Sequence, residues 1–175
     1  MTMKHLSRIV AALSFMVTAV GAAEAQNVRI LGRSVADPDG GFSIQWPGSG
    51  FEARFEGKSL RATIDDYGDN WLNVDVDGVV TRVDLEEGIH NYTLFSGAAG
   101  MHTIKVTRRT GSTTGPTRFA NIRADKLVRT DESARRILVI GDSITSGFGV
   151  EGKDRTCSYS YDTHNADLAY PGLVA

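Results

Sequence analysis

From Val28 to about Ala124 the apolar residues tend to fall at every second position, the spacing of a strand with one face buried. Phe51, Ala53 and Phe55 alternate with Glu52, Arg54 and Glu56, and Leu60, Ala62 and Ile64 share one face of the next run. In Trp71–Asp77, Leu72, Val74 and Val76 face one side while Asn73, Asp75 and Asp77 face the other. Asp77-Gly78 separates this run from VVTRVDL, a strong signal for a tight hairpin. Further strands are predicted at 90–95, 101–107 and 118–124. Gly- and Asp-rich turns punctuate the series at Asp39-Gly40-Gly41, Pro47–Gly50, Tyr67-Gly68-Asp69, Glu87-Gly88 and Gly111–Pro116. No sustained helical period interrupts it. Short strands with Gly-rich turns predict a two-sheet β-sandwich or jelly roll, and about 100 residues suffice for one.

The pattern then changes. After the polar stretch 129–133, Ile137-Leu138-Val139-Ile140 is continuously apolar, as in a parallel strand buried on both faces. A domain boundary is placed near residues 127–134. Gly141-Asp142-Ser143 follows that strand, and Ile144-Thr145-Ser146 can start a helix. Ser143 would then lie at the carboxyl end of a parallel strand and at a helix N-terminus, where free backbone N–H groups favour developing negative charge. Gly141 permits the turn, and Gly147 and Gly149 allow close approach to a ligand. The segment fits neither a P-loop, for want of Lys after Gly147, nor a dinucleotide fingerprint, whose second Gly is Ser143. It also departs from the G-x-S-x-G elbow. A serine that only caps a helix is the alternative.

At the N-terminus, Lys4, His5 and Arg8 precede an apolar run, Ile9–Ala23, and Ala23-Glu24-Ala25 forms an A-x-A site. Residues 1–25 are read as a signal peptide cleaved before Gln26, the run being shorter than the roughly 20 residues of a spanning helix. Secretion or periplasmic export follows, with no membrane association after cleavage. The net charge of −2 across 175 residues argues against a nucleic-acid partner. Arg108-Arg109 and Arg135-Arg136 are read as solvated pairs. The single cysteine, Cys157, leaves no internal disulfide, so the core must stabilise the fold.

Other clusters carry less. Asp65, Asp66, Asp69, Asp75 and Asp77 lack calcium-loop spacing and are read as solvated turns and strand faces. Trp46, Tyr67 and Trp71 offer a sugar-stacking platform, with core or rim packing preferred. Asn91-Tyr92-Thr93 is a formal glycosylation sequon. His102 shares a face with Ile104 and Val106 and is expected to be packed. His164 is the one histidine beyond the boundary.

The string IGDSIT, with Gly147 following, resembles the first block of the GDSL, or SGNH, hydrolases. The wider pattern is similar to carbohydrate esterase family 2. It comprises a sandwich carrying GFSIQWPGSG and WLNVDVDG, then HTIKVTRRT, RRILVIGDSITSGFGVEG and CSYSYDTHNADLAYPGLVA. The resemblance implies an N-terminal all-β jelly roll (26–130) followed by the first strand and helix of an α/β, flavodoxin-like SGNH domain, incomplete over 131–175. It implies a serine esterase that removes O-acetyl groups from polysaccharide without metal or organic cofactor. Ser143 corresponds to the nucleophile, its own N–H serving the oxyanion hole, and Asp142 and Gly141 support the turn. The family's D-x-x-H segment and later oxyanion donors have no counterpart in this sequence, and His164 lacks that context. Without a base a serine hydroxyl is a weak nucleophile, so these residues alone are expected to be inactive. A carbohydrate-binding sandwich with a vestigial hydrolase tail is the alternative. The single strand at 137–140 lacks sheet neighbours, so the chain beyond about Gly152 is expected to be poorly packed.

Overall fold

The structure is a computed structural model that describes residues 27–131, 133 and 135–174. Residues 1–25, expected to be a signal peptide, lie outside the described residues. The strands are β1 (Val28–Leu31), β2 (Ser34–Ala36), β3 (Phe42–Ile44), β4 (Gly50–Asp66), β5 (Trp71–Val76), β6 (Val79–Asp84), β7 (Gly88–Arg108) and β8 (Thr117–Val128). Two short 3-10 helices, Tyr161–Thr163 and Ala166–Leu168, and one short α-helix, α1 (Tyr170–Val174), follow among the described residues. All strand pairings are antiparallel, in the order β2-β3-β8-β4-β7-β5-β6, with β1 also paired to β4. The expected antiparallel β-domain is present, as one hydrogen-bonded network rather than two separate sheets.

Two long strands make that continuity. The runs predicted separately at 51–56 and 60–64 are one strand, β4, and those at 90–95 and 101–107 are one strand, β7. Phe51, Ala53 and Phe55 are buried at odd positions, Leu60, Ala62 and Ile64 at even ones. A bulged stretch reconciles the two: the pairing shifts between Gly57 and Ser59 against β7 and between Glu56 and Leu60 against β8, and the inward face passes from odd to even positions across it. Gly57 has φ of +148°, and a Cβ there would lie 2.3 Å from the Asp125 carboxylate. That carboxylate accepts the Lys58 N–H at 2.8 Å. The bulge therefore requires glycine.

The inward residues form one apolar cluster from β3, β4, β5, β7 and β8, including Ile44, Phe51, Phe55, Leu72, Val74, Ile104, Val106 and Phe119. Phe51 and Phe119 meet edge to face with centroids 5.3 Å apart. The predicted hairpin is present: Val76 pairs with Val79, and Asp77 and Gly78 both have positive φ, 54° and 87°, as a type I′ turn requires.

His102 is half-buried between the Phe55 and Phe95 rings, 5.3 and 4.4 Å away. Its Nδ1 lies 2.7 Å from the Asp77 carboxylate and its Nε2 3.1 Å from the Ala98 carbonyl. Both partners are acceptors, so both nitrogens must carry protons. Asp77 first, and the carbonyl second, hold His102 above its ordinary pKa.

Past β8 the structure departs from expectation. Ile137 to Ile140 form no strand, and Ile137, Leu138 and Ile140 are 65%, 82% and 86% exposed. A parallel strand needs neighbouring backbone to satisfy its N–H and C=O groups, and no other described segment pairs with it.

Candidate functional site

Ser143 lies in an exposed series of turns from Ser143 to Glu151. The helix expected after it is reduced to local turns. The Asp142 carboxylate accepts the Ile144 N–H at 3.0 Å, and the Asp142 carbonyl accepts the Ser146 N–H at 3.1 Å. The Ser143 carbonyl accepts the Phe148 N–H at 3.0 Å and the Ser146 hydroxyl at 2.9 Å. Gly141 fits because a Cβ would lie 1.9 Å from the Thr145 hydroxyl. Among the described residues, no side chain hydrogen-bonds the Ser143 hydroxyl.

Gly147 makes its close approach to protein, not to an open ligand space. Its φ is +82°, and an added Cβ would lie 2.2 Å from the Asn165 carbonyl oxygen. The Gly147 carbonyl accepts the Asn165 N–H at 3.1 Å, and the Thr163 carbonyl accepts the Glu151 N–H at 3.0 Å. The turns carrying Ser143 thus rest on residues 163–165.

His164 supports them directly. It is 1% exposed. Its Nε2 lies 2.7 Å from the Ser146 carbonyl, which can only accept, so Nε2 carries the proton. Nδ1 then accepts the Tyr159 hydroxyl at 3.2 Å. Burial lowers the pKa of His164, which keeps the ring neutral in this role. With both nitrogens engaged, His164 is no base for Ser143.

The segment docks on the outer face of the sheet through polar groups. Asn73 and Thr107 are paired on β5 and β7 and both point outward. The Asn73 amide donates to Asn165 at 2.8 Å and to Asp167 at 2.9 Å, and the Thr107 hydroxyl donates to Asp167 at 2.7 Å. Arg109 completes the contact. It donates from Nη1 to Asn73 at 3.1 Å, from Nε to the His164 carbonyl at 3.2 Å and from Nη2 to the Asp162 carbonyl at 3.3 Å. Its Nη2 also pairs with Glu151. His164, Asn165, Ala166 and Ala169 are buried, so the expectation of poor packing beyond Gly152 fails at these residues. It fails because outward polar residues of the sheet found hydrogen-bonding partners there.

Arg108 and Arg109 are accordingly not solvated. Period-two alternation sends Arg108 inward with Val106 and Arg109 outward with Thr107. Arg108 is 0% exposed and donates to the carbonyls of Thr110, Gly111 and Gly115 and the hydroxyls of Thr114 and Thr117. Burial pushes it down to about 10, opposed by the nearby Asp66 charge. Asp66, expected on a solvated turn, is also buried. It accepts from Asn70, Thr117 and the Gly68 N–H, and burial raises its pKa.

Trp46 and Tyr67 are exposed rather than packed in the core, while Trp71 is partly covered by Arg82, whose guanidinium lies 4.0 Å from the ring centre. Cys157 is free and exposed. Among the described residues, no group of three or more His, Cys, Asp or Glu is placed to hold a metal ion.

An antiparallel β-domain carrying a docked G-D-S-I-T segment defines a class, and comparison with known proteins gives it a name. Residues 30–130 match the family Carbohydrate esterase 2 N-terminal, and the chain belongs to that family. It is similar to the acetylxylan esterase / glucomannan deacetylase of Cellvibrio japonicus, 30% identical over 152 residues, 84% of this chain and 42% of that protein. It is also similar to the cellulase/esterase CelE of Acetivibrio thermocellus, 30% identical over 145 residues, 80% of this chain and 18% of that protein. A family two carbohydrate esterase from Clostridium thermocellum, solved in complex with cellohexaose, superposes with a TM-score of 0.79 at 30% identity. That match covers 85% of this chain and 47% of the solved one. The chain therefore spans less than half the length of these relatives.

Proposed function

We propose that this chain is the N-terminal portion of an extracytoplasmic carbohydrate esterase that removes O-acetyl groups from polysaccharide, with Ser143 as nucleophile. The observation that carries this reading is the esterase-family match over 30–130, followed in the same chain by the GDSIT segment with Ser143 exposed. The basic and apolar start of the chain, ending in Ala23-Glu24-Ala25, supports export.

In this reading the Ser143 hydroxyl attacks the acetyl carbonyl. A base takes its proton and returns it to the departing sugar oxygen, and water then hydrolyses the acetyl-serine. The Ser143 N–H is one donor to the tetrahedral oxyanion. Since His164 is committed to Ser146 and Tyr159, the base comes from outside the described residues. Acetylated xylan and glucomannan are the substrate class, by analogy with the Cellvibrio japonicus relative.

The test is acetate release from acetylated xylan and acetylated glucomannan by the complete product of the gene. Ser143→Ala is expected to lower turnover by about 10³-fold or more. Unchanged turnover in that variant would refute the assignment. Polysaccharide binding without any acetate release would instead favour a binding sandwich, for which exposed Trp46 and Tyr67 supply stacking surfaces.

A further inference from the structure

Three groups connect the β-domain to the nucleophile's backbone. The Arg109 guanidinium, itself 5% exposed, is anchored to β5 through Asn73 and reaches the carbonyls of Asp162 and His164 and the Glu151 carboxylate. The His164 ring then donates from Nε2 to the Ser146 carbonyl at 2.7 Å. Ser146 in turn donates its hydroxyl to the Ser143 carbonyl at 2.9 Å. The links from Asn73 to Arg109, Arg109 to the His164 carbonyl, His164 to Ser146 and Ser146 to Ser143 are hydrogen bonds of ordinary length, and the two central residues, Arg109 and His164, are buried.

We propose that Arg109 and His164 are positioning residues through which the β-domain sets the placement of Ser143 for attack. The proposal rests on Ser143 being the nucleophile. Both act through the protein: His164 on the Ser146 carbonyl of the turns that carry the serine, and Arg109 on the Asp162 and His164 carbonyls and the Glu151 carboxylate that support those turns. A guanidinium suits this place because its planar fork spans several acceptors at once, which the single ammonium of lysine cannot do. A neutral histidine suits the other place because one nitrogen can donate to Ser146 while the other accepts from Tyr159. The β-domain thus has a part in the chemistry beyond holding carbohydrate or stabilising the chain.

The experiment uses the complete gene product and two readouts, steady-state acetate release and the rate at which a fluorophosphonate probe labels Ser143. Arg109→Met and His164→Phe are expected to lower kcat by about 10²-fold, the scale of an ångström's misplacement. Labelling should slow in parallel, with KM altered less than about threefold. His164→Gln, which keeps an N–H donor, should recover part of the loss. The assay is run well below each variant's melting temperature, so that lost stability alone leaves both rates unchanged. If Arg109→Met does not fold, His164→Phe against His164→Gln carries the same comparison. Wild-type labelling at Ser143 with equal rates in all folded variants would overturn the positioning role alone. No labelling of Ser143 in the wild type would instead overturn its assignment as nucleophile, and this inference with it.

Discussion

Replacing Arg108 with methionine keeps much of the aliphatic stem and removes all of its donors. The Thr110 carbonyl loses the Nε hydrogen bond at 3.3 Å, and the Gly115 carbonyl loses its short bond of 2.7 Å. The Gly111 carbonyl keeps the Thr114 hydroxyl at 2.9 Å and is less affected. Two poorly satisfied buried acceptors cost about 1–3 kcal/mol each. Asp66 also loses the nearby cation whose charge opposes the effect of its burial, so the deficit is larger where Asp66 is ionised. The pH dependence has a definite sign. Burial already raises Asp66 above 3.8, so the folded state binds a proton more readily than the unfolded state. Stability then declines as pH rises from the unfolded value through the raised one. Removing Arg108 raises Asp66 further and extends that decline to higher pH, so the deficit should be about 3 kcal/mol at pH 4 and grow toward pH 8. Urea melts followed by Trp46 and Trp71 fluorescence read it directly. A deficit below about 1 kcal/mol at pH 8, or one equal at both pH values, would refute this account of the buried guanidinium.

Two further outcomes follow from single positions. Gly147→Ala forces a side chain into left-handed backbone, about 1–2 kcal/mol, and toward the Asn165 carbonyl only 2.2 Å from its Cβ. Limited proteolysis should cut residues 150–163 faster while the fluorescence melt of the β-domain stays in place; equal cleavage would show the contact to be dispensable. Asp77 raises the pKa of His102, so its contribution is full below the unfolded value of about 6.5 and lost as pH rises through the folded one. The melting temperature advantage of the wild type over His102→Gln should therefore be largest near pH 6 and shrink toward pH 9, and an advantage independent of pH would contradict the doubly donating ring.

The β-domain was legible because alternation is a local property. Leu72, Val74 and Val76 announce an inward face wherever their strand pairs, and Asp77-Gly78 specifies a turn by its own backbone needs. Strand continuity was less visible, since a bulge at Gly57 looks like a turn until Asp125 is seen to accept the Lys58 N–H. The signal was present nonetheless: buried residues change from odd to even positions across that bulged stretch.

The polar faces were misread for a different reason. Alternation says that Asn73, Thr107 and Arg109 point away from the apolar core, but it does not say that they point into water. A residue 92 positions later in the chain covers Asn73, and no periodicity encodes that contact. Ile137–Ile140 shows the converse error. A continuous apolar run states what the chain requires, burial on two faces, without supplying the neighbours that would provide it. Ser143 stands between these cases. Its turn is set locally by Asp142 and Ser146, whereas its support, from Arg109 through His164, comes from distant residues that composition marked only as a basic pair and an unpartnered histidine. The nucleophile segment can be recognised from its own residues, but what holds it in place cannot.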